Sequence, residues 1–159
     1  IPVLTLTNVK GYATDVRSEK SIAKAVAKLT YAFANANVPK VNVITGEAYG
    51  SAYVTMNSKA LGADVTYAWP DASIGMMDAN EAAKIMYADD IAKSADVQSV
   101  ISEKAAEYAA LQSGVESAAA RGYVDTIINP EDTRKYVAAA FEMLYTKRED
   151  RPDKKHGTV

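Results

Sequence analysis

The 159-residue chain contains no cysteine. This excludes disulfides, thiolate metal sites and a cysteine nucleophile, and it fits a reducing cytoplasm. No apolar run reaches membrane-spanning length, and no segment resembles a secretory signal peptide. A basic field is missing too: the net charge is −2 and the pI about 5.5, so nothing favours nucleic acid or an anionic membrane. G-x-G-x-x-G, the phosphate-binding loop and the serine-hydrolase G-x-S-x-G are all absent, as is any internal repeat. No cluster has metal-ligand spacing, so no metal is expected.

What is present suits one domain with a real core, since 48% of the residues are apolar. The chain opens without Met on "IPVLTLTNV", which reads as a buried strand and suggests a piece of a larger protein. Ile22, Val26, Leu29 and Phe33 then mark one face of a helix. Further strands are read at "VPKVNVIT" (38–45), "ADVTYAWP" (63–70), "ASIGMM" (72–77) and "RGYVDTII" (121–128). Asp78 is the expected cap of a helix through Tyr87, and Asp96 of another through about Gln112. Asn129 as N-cap, Pro130 and the acidic Glu131 and Asp132 predict a final helix with Val137, Phe141 and Leu144 as its apolar stripe. Strands alternating with helices give an α/β fold, and the order suits stacked β-β-α units with a largely helical second half. The domain is set at 1–146 and a charged tail at 147–159.

The stretch "TGEAYGSAYVTMNSKALG" (45–62) poses the functional question. A strand ends in a glycine turn and is followed by a nearly uncharged helix, expected from Ser51 to Ala60. Gly46 and Gly50 permit backbone angles that other residues avoid. The first amides of a helix lack internal partners, and small side chains let a ligand approach them. Fixed donors of this kind build an oxyanion hole without a charged side chain. The alternative is purely structural: a tight turn and close helix packing.

Other candidates carry less. A serine nucleophile at Ser51 would need His156, the one histidine, to fold back from the tail. Asp89 and Asp90 are adjacent and diverge on a helix, as on a solvated face. Asn57 is expected to satisfy a backbone group, Met76 and Met77 to lie in the core, and Trp69 to anchor packing before Pro70.

"VPKVNVITGEAYGSAYVTMNSKALGADVTYAWPDASIGMM" resembles the C-terminal half of the carboxyltransferase subunit of biotin-dependent acyl-CoA carboxylases and decarboxylases. Relatives show A-Y-G-G-A-Y, then M-x-S-K-x-L-G-A-D and A-W-P. "IPVLTLTNVKGY" and "REDRPDKKHGTV" resemble the beginning and end of that half. The resemblance implies a crotonase-like fold. It implies that an N-terminal half holds acyl-CoA, that a carrier protein brings biotin, and that active sites form between halves of different subunits of an oligomer. No metal takes part.

Carried over by position, the amide pair falls on Ser51 and Ala52, with Gly50 shaping the turn. Val54 falls near the acyl group, and Gly11 matches a glycine of the opening loop that could donate a further N–H. Tyr49 and Tyr53 flank the turn and join the residues assigned to biotin or substrate. Two departures stand out. Ser51 replaces the second glycine, and "KGYATDVRSEK" lacks the Pro-Gly features of many relatives. "MMDANEAAKIMY" and "KKHGTV" sit nearer the decarboxylases. Two other readings remain: a ClpP-like serine peptidase, and a non-catalytic assembly half.

Overall fold

The computed structural model describes residues 1–152. Its frame is a five-stranded parallel sheet. Strand β1 (Val3–Val9) is followed by helices α1 (Val16–Glu19) and α2 (Ile22–Asn35), which return the chain to β2 (Lys40–Tyr49). The ten residues of β2 serve three neighbours. β1 pairs along one side, from Val3↔Lys40 to Thr7↔Ile44. On the other side β3 (Val65–Ala68) pairs with residues 41–44, and β4 (Ser73–Gly75) pairs with residues 47–49. β5 (Thr126–Ile127) adds to β3.

Both faces of β2 are covered, as a continuous apolar strand requires. On one face Val41 and Val43 pack with Val65, Tyr67 and Ile128 under α8 (Thr133–Met143), whose Ala140, Val137 and Phe141 meet them. On the other, Ile44, Ala48 and Ala68 pack with Tyr53, Ile74, Val115, Ala118 and Val124. Val41, Val43 and Ile44 are wholly buried, each contributing about 1.5–3 kcal/mol of transfer free energy.

The helical second half runs α4 (Ala79–Met86), α5 (Ala88–Lys93), α6 (Val97–Tyr108), a π turn (Ala109–Ser113) and α7 (Val115–Ala120). Asp78 and Asp96 cap α4 and α6 as expected, accepting from the amides of Asn80 and Ser99. Asn129 does not: its side chain makes no cap bond, and Pro130–Asp132 form a 3-10 turn before α8.

Three further expectations are corrected. β1 is an edge strand and only half buried. Thr5 and Thr7 face inward, where their hydroxyls bond to Asn42, while Leu4 and Leu6 on the opposite face are 44% and 59% exposed. The helix after the glycine turn, α3 (Gly50–Thr55), stops short of Ala60. Asn57 turns left-handed at φ 54, a 3-10 turn covers Lys59–Leu61, and Gly62 follows at φ 95. Met76 is 76% exposed rather than core, and Met77 is half-buried. Asp89 and Asp90 are exposed on α5. Trp69 packs partly buried against the α8 cluster, and its Nε1 donates to Thr133 Oγ1 at 3.0 Å.

Candidate functional site

β2 delivers the chain to Tyr49 in extended conformation (φ −117, ψ 139), and the direction changes at Gly50, where φ is +59. A side chain there would be strained by the backbone, and its Cβ would sit 3.0 Å from the Met76 carbonyl oxygen. Both facts require glycine. A second close approach lies just upstream, where the sheet register shifts between Thr7 and Val9. A Cβ on Gly46 would fall 2.8 Å from Asn8 Oδ1, which accepts from the Glu47 amide at 3.0 Å.

Gly50, Ser51 and Ala52 are the first three residues of α3, so their amides have no intrahelical acceptor. Tyr49, in the N-cap position, makes no side-chain cap bond to them. The helix start therefore carries N–H donors with partial positive charge. Ser51 is exposed, whereas Ala52 is 3% exposed. One turn on, Val54 is 39% exposed and shares the Ser51 face. Ala52, Tyr53 and Thr55 point into the protein.

The other assigned residues divide accordingly. Tyr49 is buried, and burial holds its phenol above the ordinary value. Tyr53 is 7% exposed inside the Ile44 cluster, and its hydroxyl has no hydrogen-bond partner among the described residues. Burial first, and the neighbouring Tyr123 second, push its pKa up to about 12. Its ring fills core space. Gly11 lies exposed with open space around its Cα, and the next residue ties its loop to α3: Tyr12 OH and Thr55 Oγ1 are 3.3 Å apart. Lys10 reaches Glu47 at 3.2 Å on the same side. Ser51 has no imidazole beside it among the described residues, since His156 lies outside them.

A buried polar layer beneath α3 was legible only in part. Asn57 Nδ2 donates to Thr5 Oγ1 at 3.2 Å and, at the limit of 3.5 Å, to the Val41 carbonyl. The latter contact is the backbone role expected of this residue. Thr5 Oγ1 and Thr7 Oγ1 both reach Asn42 Oδ1, at 3.0 and 2.8 Å. Asn42 inside an apolar strand was the available signal. Ser113 is also close: its Oγ would lie 3.7 Å from a Cβ on Gly75, at the end of β4 beside Tyr49.

Residues 1–159 match the carboxyl transferase domain model. The chain is 46% identical to the propionyl-CoA carboxylase beta chain of Saccharopolyspora erythraea, covering 100% of this chain and 30% of the relative. It is 43% identical to the methylmalonyl-CoA decarboxylase alpha subunit of Propionigenium modestum, covering 100% and 31%. It superimposes with a TM-score of 0.93 and 42% identity on the transcarboxylase 12S hexamer crystallised with methylmalonyl-coenzyme A, covering 99% of this chain and 30% of that one. The chain thus spans under a third of these relatives' length, and it carries the crotonase-like α/β fold. With its whole length matched and its architecture shared, this chain belongs to the carboxyl transferase domain family.

Proposed function

We propose that this chain is the C-terminal half of a biotin-dependent acyl-CoA carboxyltransferase of the carboxylase-beta or decarboxylase-alpha type. In this reading it works in the cytoplasm with an N-terminal half that binds acyl-CoA, in an oligomer served by a biotin carrier protein. Biotin on that carrier supplies the carboxyl group exchanged with the carbon next to the thioester carbonyl.

The observation that carries the reading is the uncapped start of α3, turned by Gly50 and open at Ser51. It fits the ureido carbonyl of biotin: a planar acceptor needs donors without bulky side chains, and two adjacent amides supply them. The N–H groups of Ser51 and Ala52 donate to an oxygen that gains negative charge during transfer. They are fixed by the backbone before the reaction begins, so no reorganisation opposes them. One such donor is worth about 3–4 kcal/mol at the transition state. Gly50 shapes the turn, Gly11 lies in the loop that Tyr12 pins to α3, and Val54 faces the acyl group. Tyr49 and Tyr53 support the turn from the core side rather than touching ligand. No metal is required, because charge is stabilised by amides.

The experiment is reconstitution. The chain is mixed with an acyl-CoA-binding half from a relative, a carboxylated biotin carrier and propionyl-CoA or acetyl-CoA. Labelled carboxyl should pass only when both halves are present. Transfer by this chain alone, or none with any acyl-CoA half, would contradict the proposal.

A further inference from the structure

The catalytic reading places the donors at one end of α3. The most unusual backbone of the region lies at the other end. Asn57 is the one non-glycine residue with positive φ among the described residues, and it is wholly buried. Asparagine tolerates this conformation better than most residues, yet glycine would suit it as well. The amide therefore invites an account of its own.

That account lies in what it touches. Asn57 Nδ2 donates to Thr5 Oγ1 on β1, and Thr5 Oγ1 lies 3.0 Å from Asn42 Oδ1 on β2. Thr7 closes on the same oxygen at 2.8 Å. Asn42, Asn57 and Thr7 are wholly buried and Thr5 nearly so. The chain leaving α3 is thereby bonded to the two strands beneath it. The six residues of α3 span only about 9 Å. Over so short a helix, a slip at Asn57 is passed in part to the Ser51 amide. The entry is held separately, by β2 and the Gly50 turn.

We infer that Asn57 is a positioning residue for carboxyl transfer: its side-chain amide, through Thr5 and Asn42, fixes α3 and hence the Ser51 and Ala52 donors. The inference rests on the proposed function. Misplacing a reacting or stabilising group by about 1 Å costs roughly 100-fold in rate, so a partial loosening should cost roughly 10- to 100-fold.

Asn57→Gly separates side chain from backbone, because glycine accepts the positive φ without strain. In the reconstituted enzyme it should lower kcat roughly 10- to 100-fold. KM for acyl-CoA should stay within about twofold, because Val54 is the one α3 residue facing the acyl group and the rest of ground-state acyl-CoA binding falls to the other half. Amide exchange over residues 49–56 should accelerate while the α8 face keeps its protection. Thr5→Val should reproduce both effects, and Thr5→Ser, which keeps the hydroxyl, should restore them; this pair decides the matter if Asn57→Gly does not fold. Unchanged exchange in α3 with normal kcat would overturn the inference and leave the amide reading standing. Faster exchange in α3 at full kcat would overturn it from the other side, since loosened donors would then not matter, and would count against the amide reading as well. Equal loss of protection throughout the sheet would reduce Asn57 to a stability residue and also overturn it.

Discussion

Tyr53 is the sharpest place to separate a ligand-binding tyrosine from a core tyrosine. Its hydroxyl is buried without a partner among the described residues, and its pKa is pushed up to about 12 against an ordinary 10. Below pH 10 the phenol is protonated in both the folded and the unfolded chain, so it adds no pH dependence there. Between pH 10 and 12 the unfolded chain gives up the proton and the folded chain keeps it. Stability then falls by up to about 1.4 kcal/mol per pH unit, a loss of roughly 2 kcal/mol by pH 12. Tyr53→Phe removes that slope. It also removes a hydroxyl that forfeits its hydration for nothing, a cost of about 1–3 kcal/mol. At pH 8 the variant should therefore be more stable by about 1 kcal/mol, or about 2–4 °C in Tm for a chain of this length. The assay is urea unfolding of both proteins at pH 8, 10 and 11. Tyr49 and Tyr67 are also raised by burial, so the variant keeps a residual alkaline slope, and the difference between the proteins is the diagnostic. Transfer in the reconstituted enzyme should be unchanged. A loss of more than about 1 kcal/mol at pH 8, an identical slope, or a tenfold drop in transfer would refute the reasoning.

Other outcomes follow from the same structure. Gly50→Ala places a side chain at φ +59 and 3.0 Å from the Met76 oxygen, so it should cost about 1–2 kcal/mol from the backbone alone and shift α3 enough to abolish most transfer; an alanine variant with normal Tm and rate would contradict this. Lys40 is wholly buried with Nζ donating to the Phe33 carbonyl at 2.8 Å, and burial holds its pKa below the ordinary 10.5. The unfolded chain binds the extra proton between the lowered folded value and 10.5, so stability rises with pH across that window; Lys40→Met should remove this rise, and titration of unfolding with pH will show whether it does. Leu4 and Leu6 on the β1 edge, 44% and 59% exposed, should draw the isolated chain into association, and sedimentation showing only a monomer at high concentration would count against it.

The sheet was legible because its strands are written in Val, Ile and Thr between turn residues, and the capped helices because Asp78 and Asp96 satisfy orphan amides in the usual way. Burial at β1 was not. Thr suits a strand on either face, so "VLTLT" does not say whether leucine or threonine points inward; only pairing at a sheet edge decides it. The length of α3 was missed because alanine, methionine and serine permit a helix through Ala60, while the left-handed turn at Asn57 is fixed by a bond to Thr5 far away in sequence. At the site, the glycine turn was read correctly from local chemistry. The inward placement of both tyrosines was hidden: Tyr53 packs among Ile44, Ile74 and Val115, and Tyr49 is buried beside Gly75, contacts set far away in sequence.

The central claim is that an amide, not a hydroxyl, of Ser51 acts in transfer. Ala52 is too buried to test by proline, and its helical predecessor would clash with the ring. Ser51 is exposed, and Gly50 before it already lies outside the right-handed α region. Ser51→Pro therefore deletes one donor with little disturbance, and Ser51→Gly keeps the donor while removing the hydroxyl. The measurement is carboxyl transfer by both variants in the reconstituted enzyme, with Tm as the control for folding. The account predicts a loss of about 100- to 1,000-fold for Ser51→Pro and near-normal rates for Ser51→Gly. A folded Ser51→Pro at full rate, with Ser51→Gly inactive, would contradict it.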